Sequence, residues 1–346
     1  MIISKKKYHT NKINFKNKSI LITGGTGSFG KKIIQTLLSK HQPKKVVIFS
    51  RDEFKQYEME KELKKSALKN CRFFLGDVRD SERLKMAFRD IDIVVHAAAL
   101  KHVPAAEYNP FECIKTNIIG AQNVVTAAIQ TGVKKVIALS TDKAGSPLNL
   151  YGASKLASDK IFVAANNLSK KGECSFSVVR YGNVINSRGS VIPLFRDLIN
   201  SKTSFLPITD KRMTRFWITL EQGVQFVLSC LEYMLGGEIF VPKIPSMKIV
   251  DLARWMAPNI PHKFIGIRPG EKIHEVMITQ DDARYTIELK DRYIIFPSTQ
   301  IWSEKFNLNK LYKNNVINLK MDEDFQYSSN SNNQWLNYDN LLNLLG

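Results

Sequence analysis

The stretch Ser19-Ile20-Leu21-Ile22-Thr23-Gly24-Gly25-Thr26-Gly27-Ser28-Phe29-Gly30 sets the architecture of the chain. Ser19 to Thr23 is short and apolar and reads as a buried strand. A glycine-rich turn follows, then an amphipathic helix over residues 31–39. Both G-x-G-x-x-G (Gly25, Gly27, Gly30) and G-x-x-G-x-x-G (Gly24, Gly27, Gly30) fit the turn. The glycines permit a tight bend and close approach of backbone to a pyrophosphate, which sits on the helix N-terminus. Gly24, Thr26, Gly27, Ser28, Phe29 and Gly30 are therefore candidate cofactor contacts, with Phe29 packed under the turn.

Moving outward, Lys45 to Phe49 is a second strand ending at Ser50-Arg51-Asp52. An acid at this point binds ribose hydroxyls in NAD sites. Ser50 and Arg51 come first here, and a hydroxyl with a guanidinium suits a 2′-phosphate. This favours NADP, while Asp52 keeps NAD open. Residues 53–69 alternate charge along a solvated helix. Cys71 to Leu75 is a third strand, and Asp77-Val78 beyond it can meet the adenine. A helix over Ser81 to Phe88 follows. Ile91 to His96 is a fourth strand. It runs into Ala97-Ala98-Ala99-Leu100-Lys101, where small residues let a cofactor lie against backbone. His96 and His102 read as structural. Tyr108-Asn109-Pro110 starts a long helix to Thr131 that contains Thr116 and Asn117. Alternating strands and helices mean parallel βαβ units and a doubly wound α/β sheet.

The fifth strand, Val136 to Leu139, delivers Ser140, Thr141, Asp142 and Lys143 to the carboxyl edge of that sheet, where ligands bind in open α/β folds. Pro147 and Asn149 break the chain and a helix begins near Leu150. Tyr151 and Lys155 are four apart and share a face of it. A phenol titrates near ~10 in water. A neighbouring ammonium lowers that value and makes Tyr151 usable as a base.

Phe176 to Tyr181 is a sixth strand, with Gly182-Asn183-Val184 at the same crevice. Ser187 to Ser190 and Val191 to Pro193 open a loop and helix. Beyond them the alternation loosens. Residues 207–217, with Thr209 and Arg215, and the charged turn Arg268 to Lys272 read as a lid that holds an anionic ligand, since arginine matches phosphate oxygens bidentately. The division expected is a loose leader over 1–17 and a dinucleotide-binding domain with the catalytic residues over 18–185. A smaller substrate-binding α/β domain follows over 186–300, with some segments returning to the first. A tail over 301–346 docks on a partner subunit or on the chain itself and ends in a short apolar helix, Leu341 to Leu345.

Bulk properties narrow the function classes. The chain has 346 residues, 44% apolar and 24% charged, enough for one large and one smaller domain. The net charge of +19 is spread in short lysine runs without interleaved aromatics, which argues against nucleic acid and suits a polyanionic small molecule. Cys71, Cys113, Cys174 and Cys230 form no Cys-x-x-Cys pair, so neither a metal site nor a disulfide framework is expected. There is no apolar run of a signal peptide or of the roughly 20 residues a membrane helix needs. A cytoplasmic protein without membrane contact is the expectation.

The residues quoted above resemble the extended short-chain dehydrogenase/reductases and, within them, the inverting UDP-N-acetylglucosamine 4,6-dehydratases of pseudaminic acid synthesis. The most specific pieces are Thr23 to Gly30, Ser50 to Glu53, Gly76 to Asp80, Ala97 to Pro104, Leu139 to Ala144, Arg180 to Val184, Arg212 to Trp217 and Gly266 to Lys272. Retaining hexose dehydratases typically carry Asp-Glu where this chain has Asp142-Lys143. The resemblance implies an NADP-dependent hydro-lyase acting on UDP-N-acetylglucosamine and assembled as a hexamer or dimer. It implies that Tyr151 takes the O4 proton, with Lys155 lowering its pKa. It further implies that a deprotonated Lys143 removes the C5 proton, a protonated Asp142 donates to the leaving C6 hydroxyl, and Thr141 binds sugar or orients Tyr151. Lys55, Lys101, Thr116, Tyr151, Lys155 and Val184 join the cofactor contacts. Lys101, Thr141, Asn183, Ser190, Val191, Thr209, Arg215, Arg268 and Glu271 are the implied substrate contacts. The rivals are a UDP-hexose 4-epimerase or ketoreductase, which needs Tyr151 and Lys155 but not Asp142 and Lys143, and a non-catalytic cofactor sensor.

Overall fold

A computed structural model describes residues 8, 14–170, 172–187, 189–298 and 316–345. Its spine is a sheet built first from β1 (Ser19–Thr23), β2 (Lys45–Ser50), β3 (Cys71–Leu75), β4 (Ile93–His96), β5 (Lys135–Thr141) and β6 (Ser175–Tyr181). These pair in parallel in the order β3-β2-β1-β4-β5-β6. The chain order reverses beside β1, so the crevice of a doubly wound fold opens there. β1, β2 and β4 are buried almost end to end, as strands covered on both faces must be.

The glycine-turn helix starts at Ser28, inside the glycine motif, and runs to Thr36 before a π-helical turn, Leu37–His41. The expected long helix to Thr131 is instead Pro110–Ile114, a π-helical turn Lys115–Ile119, and Gly120–Thr131. Tyr108 ends a separate helix, Val103–Tyr108, rather than starting one.

Beyond β6 the chain builds smaller sheets and then returns. β7 (Asn183–Val184), β9 (Thr214–Ile218) and β11 (Ser246–Lys248) form a three-stranded sheet, while β8 (Leu206–Ile208) pairs with β12 (His262–Phe264). β10 (Ile239–Pro242) rejoins the large sheet parallel to β6, and β15 (Arg292–Ile295), β14 (Thr286–Leu289) and β16 (Val316–Asn318) extend it antiparallel. β13 (Val276–Ile278) pairs with β17 (Tyr327–Ser328) in the tail. Among the described residues two main hydrophobic cores result, beside a small cluster of Ala106, Cys113 and Tyr151. The larger fills the main sheet and its helices. The smaller gathers Ile192, Phe195, Trp217 and Leu252 with Leu336 and Leu341 of the tail. The final helix, Tyr338–Leu345, thus docks on the chain's own smaller core.

Most of the leader read as loose lies outside the described residues. Tyr8 and Phe15 do not fit that reading: both are buried, Tyr8 edge-on to Phe226 and Phe15 edge-on to His41. All four cysteines are buried and free. Among the described residues no helix is long and apolar enough to cross a membrane, and no cluster of ligands could hold a metal ion.

Candidate active site

A cavity of about 710 Å³ runs along the carboxyl edge of the parallel strands. At one end lies the glycine turn. Gly24 has φ +66°, and a Cβ there would stand 2.9 Å from the Ala98 amide nitrogen, so no other residue fits without displacing that loop. A side chain at Gly30 would run into the Gly25 carbonyl. The backbone is therefore free to approach a pyrophosphate from this side. Phe29 stacks on Tyr181 with ring centroids 6.5 Å apart.

The loop after β4 is pinned from two directions. Thr23 Oγ1 lies 2.8 Å from His96 Nδ1 and accepts from the amides of Ala97 and Ala98. Asn117 Oδ1 accepts from the Leu100 amide at 2.8 Å, and its Nδ2 donates to the Leu100 carbonyl and to Ser154 Oγ. Burial, with the Lys155 charge nearby, drives His96 down to about 3, so it is a neutral structural group. Asn117 was read only as part of a helix, yet it ties the cofactor-side loop to the Tyr151 helix.

At the β2 end, Asp52 caps the Glu53–Glu62 helix by accepting from the Lys55 amide and pairs with Lys55 Nζ at 2.6 Å. Its hydrogen bonds to Lys55 hold its carboxyl below the ordinary range. Arg51 lies exposed, 3.7 Å from Asp77. Asp77 itself is held by Arg79 at 2.7 Å. Thr116 Oγ1, Ser140 Oγ and Ser190 Oγ are buried with no hydrogen-bond partner among the described residues, and all three residues line the cavity. A dinucleotide with ribose and phosphate oxygens is the kind of ligand such a cradle and its orphaned hydroxyls fit.

The reactive cluster stands at the end of β5. Asn149 caps the Leu150–Ala164 helix, accepting from the Gly152 amide at 2.8 Å, and so fixes Tyr151 and Lys155 on the cavity wall. The Lys155 ammonium makes no hydrogen bond among the described residues. Burial pulls its pKa below the ordinary value, against the opposing charge of Asp159. Burial pushes Tyr151 up to about 12, while the Lys143 ammonium and the Thr141 hydroxyl pull it down. The lowering of Tyr151 expected from Lys155 is thus outweighed by desolvation, and the cation that faces the phenol most strongly is Lys143.

Thr141 Oγ1 donates to Asp142 Oδ1 at 3.1 Å. Asp142 is fully buried, and burial raises its carboxyl against the pull of Lys143. Lys143 Nζ lies 3.0 Å from Asp142 Oδ1, 3.1 Å from Glu275 Oε1 and 3.4 Å from Asn183 Oδ1. Burial pulls its pKa down, but the two carboxylates outweigh that and hold the ammonium above its ordinary pKa. The deprotonated Lys143 expected from the sequence is therefore not its resting state. Glu275, which sequence reasoning missed, stands just before a short strand, Val276–Ile278, in a charged stretch where one more carboxylate has no local signature.

All twenty residues named as cofactor contacts line this one cavity, as do Thr141, Lys143, Asn183 and Ser190. Asp142 lies beneath its wall. Val191, Thr209, Arg215, Arg268 and Glu271 do not line it. Arg215 is committed elsewhere: its guanidinium donates to the carbonyls of Thr214, Lys272 and Ile273 and stands 3.7 Å from Glu275. It braces the lid rather than waiting for a phosphate. Arg268 is exposed on the turn whose Gly270 carbonyl accepts from Asn149 Nδ2 at 2.7 Å.

Residues 20–297 match the model of a family described as polysaccharide biosynthesis protein. A Campylobacter jejuni relative, UDP-N-acetylglucosamine 4,6-dehydratase (inverting), is 57% identical over 96% of this chain and 98% of its own. A Rickettsia conorii relative, UDP-glucose 4-epimerase, is 43% identical over 81% of this chain and 83% of its own. Among solved structures, Pen from Bacillus thuringiensis superposes with a TM-score of 0.84 at 37% identity, covering 96% of this chain and 99% of that one.

Proposed function

The chain belongs to the polysaccharide biosynthesis protein family of extended short-chain dehydrogenase/reductases, and from that premise we infer an inverting UDP-N-acetylglucosamine 4,6-dehydratase that works with a nicotinamide dinucleotide. The reaction removes water across C5 and C6 of the sugar and leaves a 6-deoxy-4-ketone inverted at C5. What supports this over a 4-epimerase is the Asp142–Lys143 pair, 3.0 Å apart and beside the Tyr151 phenol. An epimerase needs only the phenol and Lys155.

The glycine turn, Ala97 to Ala99 and Lys155 line the cavity where they would hold the nicotinamide dinucleotide, which would supply the hydride acceptor for C4 and the hydride donor for C6. Tyr151 takes the proton from O4 as C4 becomes a ketone. The ketone acidifies the C5 proton, which Lys143 removes. Asp142 supplies the proton on which the C6 hydroxyl leaves as water, and C5 takes up a solvent-derived proton on the opposite face as hydride reaches C6. The resting pair is ammonium and carboxylate; the working pair is amine and carboxylic acid. They differ by one proton passed along the 3.0 Å hydrogen bond, so forming the working pair takes no proton from outside. Exclusion of water by bound substrate favours the neutral pair, because desolvation penalises both charges.

Proton NMR of product formed from UDP-N-acetylglucosamine in D₂O tests the reading: a 6-deoxy-4-keto sugar with deuterium at an inverted C5 is expected, and retained C5 geometry removes Lys143 as the base. NADP is favoured over NAD because Asp52 is spent on its helix cap and on Lys55, leaving Ser50 and Arg51 at the ribose. Arg51→Ala should weaken NADP⁺ roughly tenfold and NAD⁺ little, by calorimetric titration, since one charge-assisted phosphate contact contributes about 1.5 kcal/mol. Entry of the product into pseudaminic acid synthesis, a cytoplasmic site and assembly as a dimer or hexamer belong to the same proposal.

A further inference from the structure

We propose that Glu275 is a positioning residue of the dehydration step: it holds Lys143 against the cavity wall and governs where the proton of the Lys143–Asp142 pair rests. The proposal rests on the dehydratase reading and adds to it a group outside the cavity.

The geometry carries it. Glu275 is 2% exposed, immediately before β13, and does not line the cavity. Its Oε1 lies 3.1 Å from Lys143 Nζ, as close as Asp142 within 0.1 Å, and on a different element. Its Oε2 is buried, accepts no hydrogen bond among the described residues and stands 3.9 Å from Lys272 Nζ. A carboxylate so buried is costly unless its charge is used.

The groups facing it are Lys143 and Asp142 from the turn after β5, Arg215 from β9, and Lys272 on its own turn. His274 lies beside Arg215 and bonds Thr214. With Asp142 ionised, three cations meet two carboxylates. When the proton of Lys143 passes to Asp142, the cluster holds Arg215 and Lys272 against Glu275 alone. Glu275 is thus the carboxylate whose charge remains constant through the step. It steadies the ammonium before transfer and opposes premature loss of the proton.

Its own placement is fixed by the tail. The Glu275 amide donates to Ser329 Oγ at 2.9 Å, and the Ser329 amide donates to the Glu275 carbonyl at 2.8 Å. Gly145 is glycine because a Cβ there would collide with the Val276 carbonyl, which brings the Asp142–Ala144 turn directly against β13.

The experiment measures enzyme-catalysed exchange of the C5 proton of the 6-deoxy-4-keto product in D₂O against pH, a readout that needs no hydride transfer. An opposite charge within about 4–6 Å shifts a titration by one to three units. In Glu275→Gln the alkaline rise of the exchange rate should move down by about one unit or more, with KM for UDP-N-acetylglucosamine changed less than twofold. Glu275→Asp keeps the charge but withdraws it by a methylene, so the rise should move in the same direction and part of the way. This second variant carries the test if the first does not fold. A uniform loss of rate in both variants, with the rise unmoved, makes Glu275 structural and overturns the proposal. Wild-type protein that forms no 6-deoxy-4-keto product overturns the dehydratase reading, and the proposal with it. Turnover by wild type with an unmoved rise in the variants overturns the role of Glu275 alone.

Discussion

At the scale of single residues, two groups four positions apart on one helix were legible at once, while their protonation was not. Tyr151 and Lys155 follow from spacing, but burial is a property of the fold and reverses the expected sign for Tyr151, which rests at about 12. The division of labour between Tyr151 and Lys143 is testable by variants. Tyr151→Phe should lower turnover by about 10²–10⁴-fold, the usual contribution of a placed acid or base, and leave C5 exchange of the 4-keto product comparatively intact. Lys143→Ala should abolish that exchange as well. His96 gives a separate prediction on stability. Its folded pKa is about 3, below the ordinary value of 6.5, so the unfolded chain binds the proton first as pH falls. The stabilisation is whole above 6.5 and declines between 6.5 and about 3, by about 1.4 kcal/mol per unit for this one group. Denaturant unfolding at pH 7 and pH 5 should show a smaller acid loss in His96→Asn than in wild type.

Among elements, the strands of the parallel sheet and the glycine turn were readable because hydrophobic runs and glycine positions are local signals. The π-helical turn Lys115–Ile119 was not, since its cause lies in contacts made after folding. π-Helical turns inside helices often mark functional sites. Here the turn aims Asn117 at the Leu100 backbone on one side and Ser154 on the other. Asn117→Ala would leave the part-buried Leu100 amide and carbonyl without their side-chain partner. A fully buried group left so costs about 1–3 kcal/mol, and a part-buried one less. The variant should unfold at markedly lower denaturant and bind its dinucleotide more weakly, while the fraction that is loaded keeps near-normal C5 exchange. Arg215 marks the opposite failure. A guanidinium in an aromatic stretch reads from sequence as a phosphate clamp, but three backbone carbonyls already take its donors.

Over the whole molecule, the tail is where sequence says least and the structure most. Ser328 to Gln334 is Asn- and Ser-rich and carries no periodicity, so its partners are visible only once the chain has closed. Tyr327 then accepts from the Ile244 amide at 2.9 Å and donates to its carbonyl, and β17 pairs with β13. Ser329 bonds Glu275 and lies 2.7 Å from Thr214 Oγ1. A segment more than 180 positions from Lys143 thereby fixes the carboxylate that faces it. This makes the last prediction one about distance. Ser329→Ala leaves the buried Glu275 amide without its acceptor, at about 1–3 kcal/mol. If the tail acts through Glu275, kcat should fall several-fold with KM for the sugar nucleotide little changed, and the alkaline rise of C5 exchange should move as in Glu275→Gln but less. Tyr327→Phe is the matched control. It removes two buried bonds to Ile244 and should destabilise the chain comparably, yet leave Glu275 bonded to Ser329 and the pH profile in place. A profile that moves equally in both variants would mean that tail docking, rather than the Ser329–Glu275 contact, tunes the centre.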